Sequence, residues 1–257
     1  MTSAPALVPT SIPRGGELIA ARGVVKSYGS AAPALRGVSM SAAKGDVVAI
    51  TGPSGSGKST LLLCLAGILT PEAGEVIFGG RRIDRDSESR RSALRRREFG
   101  VLFQFGQLIP ELTARENVAL PLLLSGVRRR PALATATEWL DRVGMAALAE
   151  QRPPQMSGGQ GQRVAVARAL VTEPDVVFAD EPTGALDTLS GEEVLRQLTG
   201  LAREAGTTVL LVTHDATVAA YADQEIVLRD GLVDGAADPQ PTAPGAQVPA
   251  GQHRAHR

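Results

Sequence analysis

Six short apolar runs punctuate the chain between residues 46 and 231: DVVAITG, GEVIFGG, FGVLFQ, DVVFAD, TTVLLVTH and QEIVLRDG. Their length and β-branched content mark strands, and helical segments lie between them. The alternation predicts an α/β fold around a largely parallel central sheet. DVVAITG, DVVFAD and TTVLLVTH are continuously apolar, as strands buried on both faces are. Residues 17–28 and 37–42 read as peripheral antiparallel strands. From Thr113 to about Ala149 strand signals stop. Thr113 with Glu116 forms a capping box there, and Pro131 opens a further helix. This block is expected to be a helical subdomain, about residues 105–160, inserted in the α/β core. Ser190 with Glu193 reads as a second capping box, starting the helix before TTVLLVTH.

Residues 1–16 and 236–257 are rich in Ala, Pro, Gly and Gln and offer little to bury. Disordered tails around a single domain at 17–235 are expected. The closing HRAHR holds His253 and His256, read as part of a solvated tail rather than a metal site.

Composition then narrows the function. Basic and acidic residues both number 27, so the net charge is zero and no whole-chain field for nucleic acid exists. Aromatic residues make up 3%, which leaves few platforms for stacking bases. No nucleic-acid partner is expected. The single cysteine, Cys64, excludes an internal disulfide, fits a reducing compartment and reads as a packed core thiol. No apolar run approaches the roughly 20 residues a membrane span needs. The first residues lack a charged start followed by an apolar block, so no signal peptide is expected. A cytosolic location follows, with any spans supplied by another chain. In RRSALRRREFG, residues Arg90, Arg91, Arg95, Arg96 and Arg97 crowd one short helix and read mainly as a solvated face.

Three stretches carry chemistry. GPSGSGKS, Gly52 to Ser59, matches G-x-x-x-x-G-K-[ST] between a strand and a helix. Its residues Gly52, Pro53, Ser54, Gly55, Ser56 and Gly57 wrap backbone N–H groups around phosphate, helped by the helix start at Thr60. Lys58 reaches the β- and γ-phosphates, and Ser59 ligates Mg²⁺. At the end of DVVFAD, Asp180 holds Mg²⁺ through water. Glu181, turned another way by strand geometry, orients and deprotonates the attacking water. The third stretch is MSGGQGQRVAVARAL. Ser157 is its N-cap, and Gly158 and Gly159 keep no side chain between the helix start and an anion.

With MSGGQ included, the chain closely resembles the nucleotide-binding domain of ABC ATPases, from about Glu17 to Asp234. Tyr28 stands where the adenine-stacking aromatic lies. Gly52 to Ser59 is similar to the Walker A loop, Gln104 to the Q-loop glutamine, and Met156 to Gln160 to the signature. VVFADE resembles Walker B with its catalytic Glu, GALD ending at Asp187 the D-loop, and His214 in VTHD the switch histidine. The resemblance implies ATP and Mg²⁺ as cofactors and a head-to-tail pair of domains around two ATPs. By it, Ser157, Gly158, Gly159 and Gln160 complete a partner's site, and Asp187 lies across the interface. Gln104 contacts Mg²⁺ and the attacking water, and His214 bonds the γ-phosphate and positions Glu181. Met156 replaces the usual Leu, a mild change. Gly161 stands where the family often has a longer polar residue, so the signature helix is less firmly set. A homodimer with two competent sites is expected.

FQFGQLIPELTARENVALPLLLSG resembles the subgroup of lipoprotein-releasing, macrolide-exporting, peptide-detoxifying and cell-division ABC ATPases. In that subgroup a separate membrane permease couples to the helical subdomain, which implies a peripheral place on the inner face of the cell membrane. Phe105 to Glu116 is expected to form much of the groove for that partner. GALD, where lipoprotein-releasing members usually have GNLD, tilts the expectation toward peptide or drug resistance. The leading expectation is an ATPase subunit driving export or extraction of a drug, peptide or lipid-linked substrate. The alternatives are ATP-dependent regulation of a membrane partner without transport, and a soluble ABC ATPase acting on ribosomes or DNA.

Overall fold

The structure is a computed structural model and describes residues 16–29, 32–103 and 108–234. Apart from Gly16, the expected tails, with His253 and His256, lie outside the described residues.

Two sheets share one core. The first is antiparallel: β1 (Glu17–Lys26) pairs with β2 (Leu35–Ala43) on one side. The second sheet begins with β3 (Val47–Thr51). On its other side β1 pairs with β4 (Ala73–Phe78), which continues into β5 (Arg81–Arg82), giving the order β2-β1-β4-β5. The second sheet also holds β6 (Phe99–Phe103), β7 (Val176–Asp180), β8 (Thr208–Val212), β9 (Gln224–Arg229) and β10 (Leu232–Val233). Its order is β10-β9-β3-β8-β7-β6, parallel except at the β9–β10 hairpin. All six apolar runs are therefore strands. GEVIFGG, however, is β4 of the antiparallel sheet rather than part of the parallel one.

Strand alternation divides the core. Val48 and Ile50 of β3, Phe178 of β7 and Leu210 of β8 face the antiparallel sheet and α1 (Lys58–Leu65). Phe78, Phe99 and Phe178 meet edge to face in that layer, at centroid distances of 4.9 and 5.0 Å. Cys64 of α1 is buried there, and burial pushes its thiol up to about 11, which keeps it protonated and inert. Val47, Val177, Ala179, Val209 and Leu211 point the other way, into a second apolar layer. Each large apolar side chain so enclosed contributes about 1.5–3 kcal/mol.

That second layer is helical. Outside it, a short helix, α2 (Glu88–Arg97), precedes β6 and packs Leu94 on the first layer. Its Arg90, Arg96 and Arg97 are exposed, but Arg91 and Arg95 are half-buried: both pair with Glu88, and they donate to Asp86 O and Gly67 O, each at 2.7 Å. The solvated-face reading therefore holds for only part of the arginine run. After β6 come α3 (Ala114–Leu124) and α4 (Arg129–Arg142), with 3-10 turns at Ala146–Leu148 and Pro153–Gln155. The Thr113–Glu116 capping box opens α3, and Pro131 lies in the first turn of α4. Next are α5 (Gly158–Leu170), α6 (Thr188–Ala205) and α7 (Ala216–Ala219). The α6 N-cap is Asp187, whose carboxylate accepts from Ser190 N at 3.0 Å. The Ser190–Glu193 pair is thus inside the helix, and Glu193 pairs with Arg196 instead. No described helix is long and apolar enough to cross a membrane.

Candidate functional site

β3 delivers the chain to Gly52 and α1 takes it up at Lys58, so the intervening loop bends through Gly52 (φ 136°) and Gly57 (φ 101°). Both need glycine. A Cβ on Gly52 would lie 1.9 Å from Leu228 O, and one on Gly57 2.4 Å from Ala34 O. No side chain caps the first N–H groups of α1, whereas Thr113, Ser157 and Asp187 cap α3, α5 and α6. The open helix end faces a cavity of about 670 Å³, lined by Pro53, Ser54, Gly55, Gly57, Lys58, Ser59 and Thr60. Lys58 is nearly buried and donates to Gly52 O at 2.8 Å and Pro53 O at 2.9 Å. These two carbonyls hold its charge inside the loop. The Ser56 hydroxyl is buried without a partner among the described residues. Glycine-only curvature, an uncapped helix start and an enclosed ammonium make a cradle for a polyphosphate.

Carboxylates close the far side. Ser59 Oγ donates to Asp180 Oδ1 at 3.1 Å, joining the loop to the carboxyl end of β7. Burial pushes the Asp180 carboxyl up from its ordinary range. The Ser59 hydrogen bond opposes this, the Glu181 charge adds to it, and Lys58 opposes it again. This hydroxyl–carboxylate pair is a hard oxygen set suited to Mg²⁺. Among the described residues no group of three or more His, Cys, Asp or Glu gathers to hold a metal alone.

Glu181 sits just past β7 at φ 47°, a left-handed conformation that a glutamate adopts only under constraint. Its N–H donates to Val212 O at 2.9 Å, which pins the kink. The kink, rather than strand alternation, turns Glu181 away from Asp180 and into the cavity. There Glu181 Oε1 lies 2.7 Å from Nδ1 of His214, a side chain 68% exposed. Tyr28 stands beside the same helix start, with its hydroxyl 3.3 Å from Thr60 Oγ1 and its ring half in solvent. Gln104 lies outside the described residues.

The remaining expected residues gather elsewhere. Ser157 and Gln160 form a reciprocal capping box at the start of α5, with bonds of 3.3 and 2.9 Å. Ser157, Gly159 and Gln160 line a separate pocket of about 240 Å³ with Leu189 and Ser190. Gly158 and Gly159 pack against Leu186 and Ser190. Asp187 is held below the usual carboxylate range by the Ser190 N–H at the start of α6. Leu189, next to it, is 79% exposed.

Sequence reasoning missed three residues. Ala34 lines the phosphate cavity, and a bare alanine in a loop carries no signal. Gln162, buried on α5, donates to Phe103 O at 3.1 Å and so ties α5 to the end of β6. Asn117, fully buried in α3, spans Ile109 N and the carbonyls of Ile109, Leu112 and Thr113. A polar residue on an otherwise apolar helix face was the available clue to both.

Comparison with known proteins gives family and fold likenesses. The ABC transporter family model matches residues 35–184. The lipoprotein-releasing system ATP-binding protein of Shewanella frigidimarina is 42% identical over 81% of this chain and 87% of its own length. The corresponding protein of Bordetella pertussis is 48% identical over 77% and 85%. The macrolide export ATP-binding/permease protein of Marinobacter nauticus is 44% identical over 90% of this chain, which covers 36% of that longer protein. Among solved structures, a dimeric ATP-binding cassette in a post-hydrolysis state with ADP and Pi superposes with a TM-score of 0.78. It is 38% identical and covers 84% of this chain and 97% of its own.

Proposed function

The chain belongs to the ABC transporter family, and from that premise we propose how its residues share the work of an ATPase that dimerises and drives a separate membrane permease. ATP is the substrate, and ADP and phosphate are the products. The observation that carries the reading is the separation of two half-sites. Lys58, Ser59, Glu181 and His214 line one cavity, and Ser157, Gly159 and Gln160 line another. Among the described residues, no phosphate-loop residue lines the pocket at the capped start of α5. A head-to-tail pair supplies one, and exposed Leu189 beside that pocket gives the pair apolar area to cover.

In this assignment the loop from Gly52 to Thr60 binds the phosphates, and Lys58 exchanges its carbonyl contacts for phosphate oxygens. Tyr28 stacks the base. Ser59, with Asp180 through water and Gln104 as a further ligand, would hold Mg²⁺, which would supply charge neutralisation for the phosphates. Glu181 takes the proton of the attacking water, and His214 holds Glu181 in place. Ser157, Gly158, Gly159 and Gln160 approach the γ-phosphate in the opposite chain, with Asp187 at the seam. A site divided between chains closes only when the phosphate bridges them, so binding drives dimerisation and hydrolysis releases it.

We take residues 17–235 as the nucleotide-binding domain, with the helical block at 105–160 as its arm toward the permease. The complex sits on the inner face of the cell membrane and exports or extracts a lipid-linked, peptide or drug substrate. Affinity purification from native membranes tests this. Recovery of a membrane-spanning partner supports it. Recovery of soluble partners alone overturns the membrane role and leaves the ATPase chemistry standing.

A further inference from the structure

The phosphate loop is braced from outside by the last hairpin of the sheet. β9 and β10 are joined by Asp230 and Gly231, with Leu232 opposite Arg229 and Val233 opposite Leu228. Asp230 (φ 49°) and Gly231 (φ 77°) are both left-handed, as a two-residue Asp-Gly hairpin turn requires. This turn lies against the loop. Gly231 N donates to Ser56 O at 3.1 Å, and Gly231 O accepts from Arg36 N at 2.8 Å. Both backbone polar groups of Gly231 are thus spent on other elements, one in the phosphate loop and one in β2.

Close packing makes the brace stiff. A Cβ on Gly231 would lie 2.8 Å from Ala34 O. That same carbonyl closes against Gly57, and the Leu228 carbonyl of the hairpin closes against Gly52. Glycines at both ends of the phosphate loop therefore rest on backbone that Gly231 holds in register. Ser56, the residue it grips, is itself buried, so the loop cannot shift there independently.

The geometry points to Gly231 as a positioning residue for the phosphate loop: it touches no nucleotide, but its turn fixes the loop in the curvature that binds phosphate. The inference rests on the assignment of Gly52 to Thr60 as the nucleotide cradle. It also makes the C-terminal hairpin a place where displacement is felt as a change in ATP affinity.

The test is titration of the full chain with a fluorescent anthraniloyl derivative of ATP, beside steady-state ATPase kinetics and urea unfolding. Gly231→Asn keeps a residue tolerant of left-handed φ but sets its Cβ against Ala34 O. It is expected to fold and to weaken nucleotide binding roughly tenfold, raising KM more than it lowers kcat. Gly231→Ala is expected to lose the same affinity and more stability, because Ala strains at that φ. Gly206→Ala is the control. Its glycine has φ 67°, caps α6 and has open space about a Cβ, so it is expected to lower stability without moving affinity. Wild-type affinity in folded Gly231→Asn, or an equal loss in Gly206→Ala, overturns the inference. Failure of the wild-type chain to bind the probe overturns the cradle assignment instead.

Discussion

His214 Nδ1 and Glu181 Oε1 lie 2.7 Å apart, across the ends of two adjacent parallel strands. The pair exists because β7 and β8 are neighbours and because Glu181 adopts a left-handed kink just beyond β7. Replacing the base tests its role. Glu181→Gln is expected to lower hydrolysis by about 10²–10⁴-fold while ATP binding persists. Size-exclusion chromatography with ATP should show a trapped dimer. A monomer with ordinary turnover would remove Glu181 from the reaction.

Ser157→Arg probes the other half-site. The N-cap is lost, at a cost of about 1 kcal/mol, and a bulky cation fills the small pocket at α5. Binding of ATP by the isolated chain is expected to survive, because the phosphate cavity lies elsewhere. Hydrolysis is expected to disappear. Full turnover would show that each chain works alone.

Asn117→Ala unpins the segment that leads into α3. The substitution leaves Ile109 N and the Ile109, Leu112 and Thr113 carbonyls without their side-chain partner. A loss of about 1–3 kcal/mol in urea unfolding is expected. ATP affinity should stay at the wild-type value, since Asn117 does not line the phosphate cavity.

Glu98 supplies a pH test. Burial pushes its carboxyl above the ordinary range, the adjacent Asp175 carboxylate adds to this, and Arg97 opposes it. The folded state therefore holds this proton more tightly than the unfolded chain. That contribution is full below the ordinary carboxylate range and is lost as pH rises through the raised value. Glu98→Gln is expected to remove this loss, so the variant gains on the wild type as pH rises toward neutral. Thermal unfolding across that range reads the difference, and parallel curves would refute it.

Much of this protein was written locally. Continuous apolar runs announced β3, β7 and β8 because a strand buried on both faces has no polar side to show. The phosphate loop was legible because its bends admit only glycine and its charge comes from one lysine at fixed spacing. The capping box at Thr113 and the N-cap at Ser157 were legible for the same reason: each closes within three residues. Where residue types left several partners open, or the partner lay in another element, the sequence was silent or misled. Asp187, not Ser190, caps α6. GEVIFGG had the composition of any strand, and only its pairing with β1 placed it in the antiparallel sheet. Arg91 and Arg95 lie against the Asp86 and Gly67 carbonyls, which the run of arginines alone did not foretell. Gln162 and Gly231 act through backbone groups far along the chain, so their neighbours in sequence carried no mark of it. Hydrogen bonds and steric limits within a few residues are fixed by residue type, and so can be read in order. Contacts between segments depend on which surfaces meet, and only the folded packing decides that.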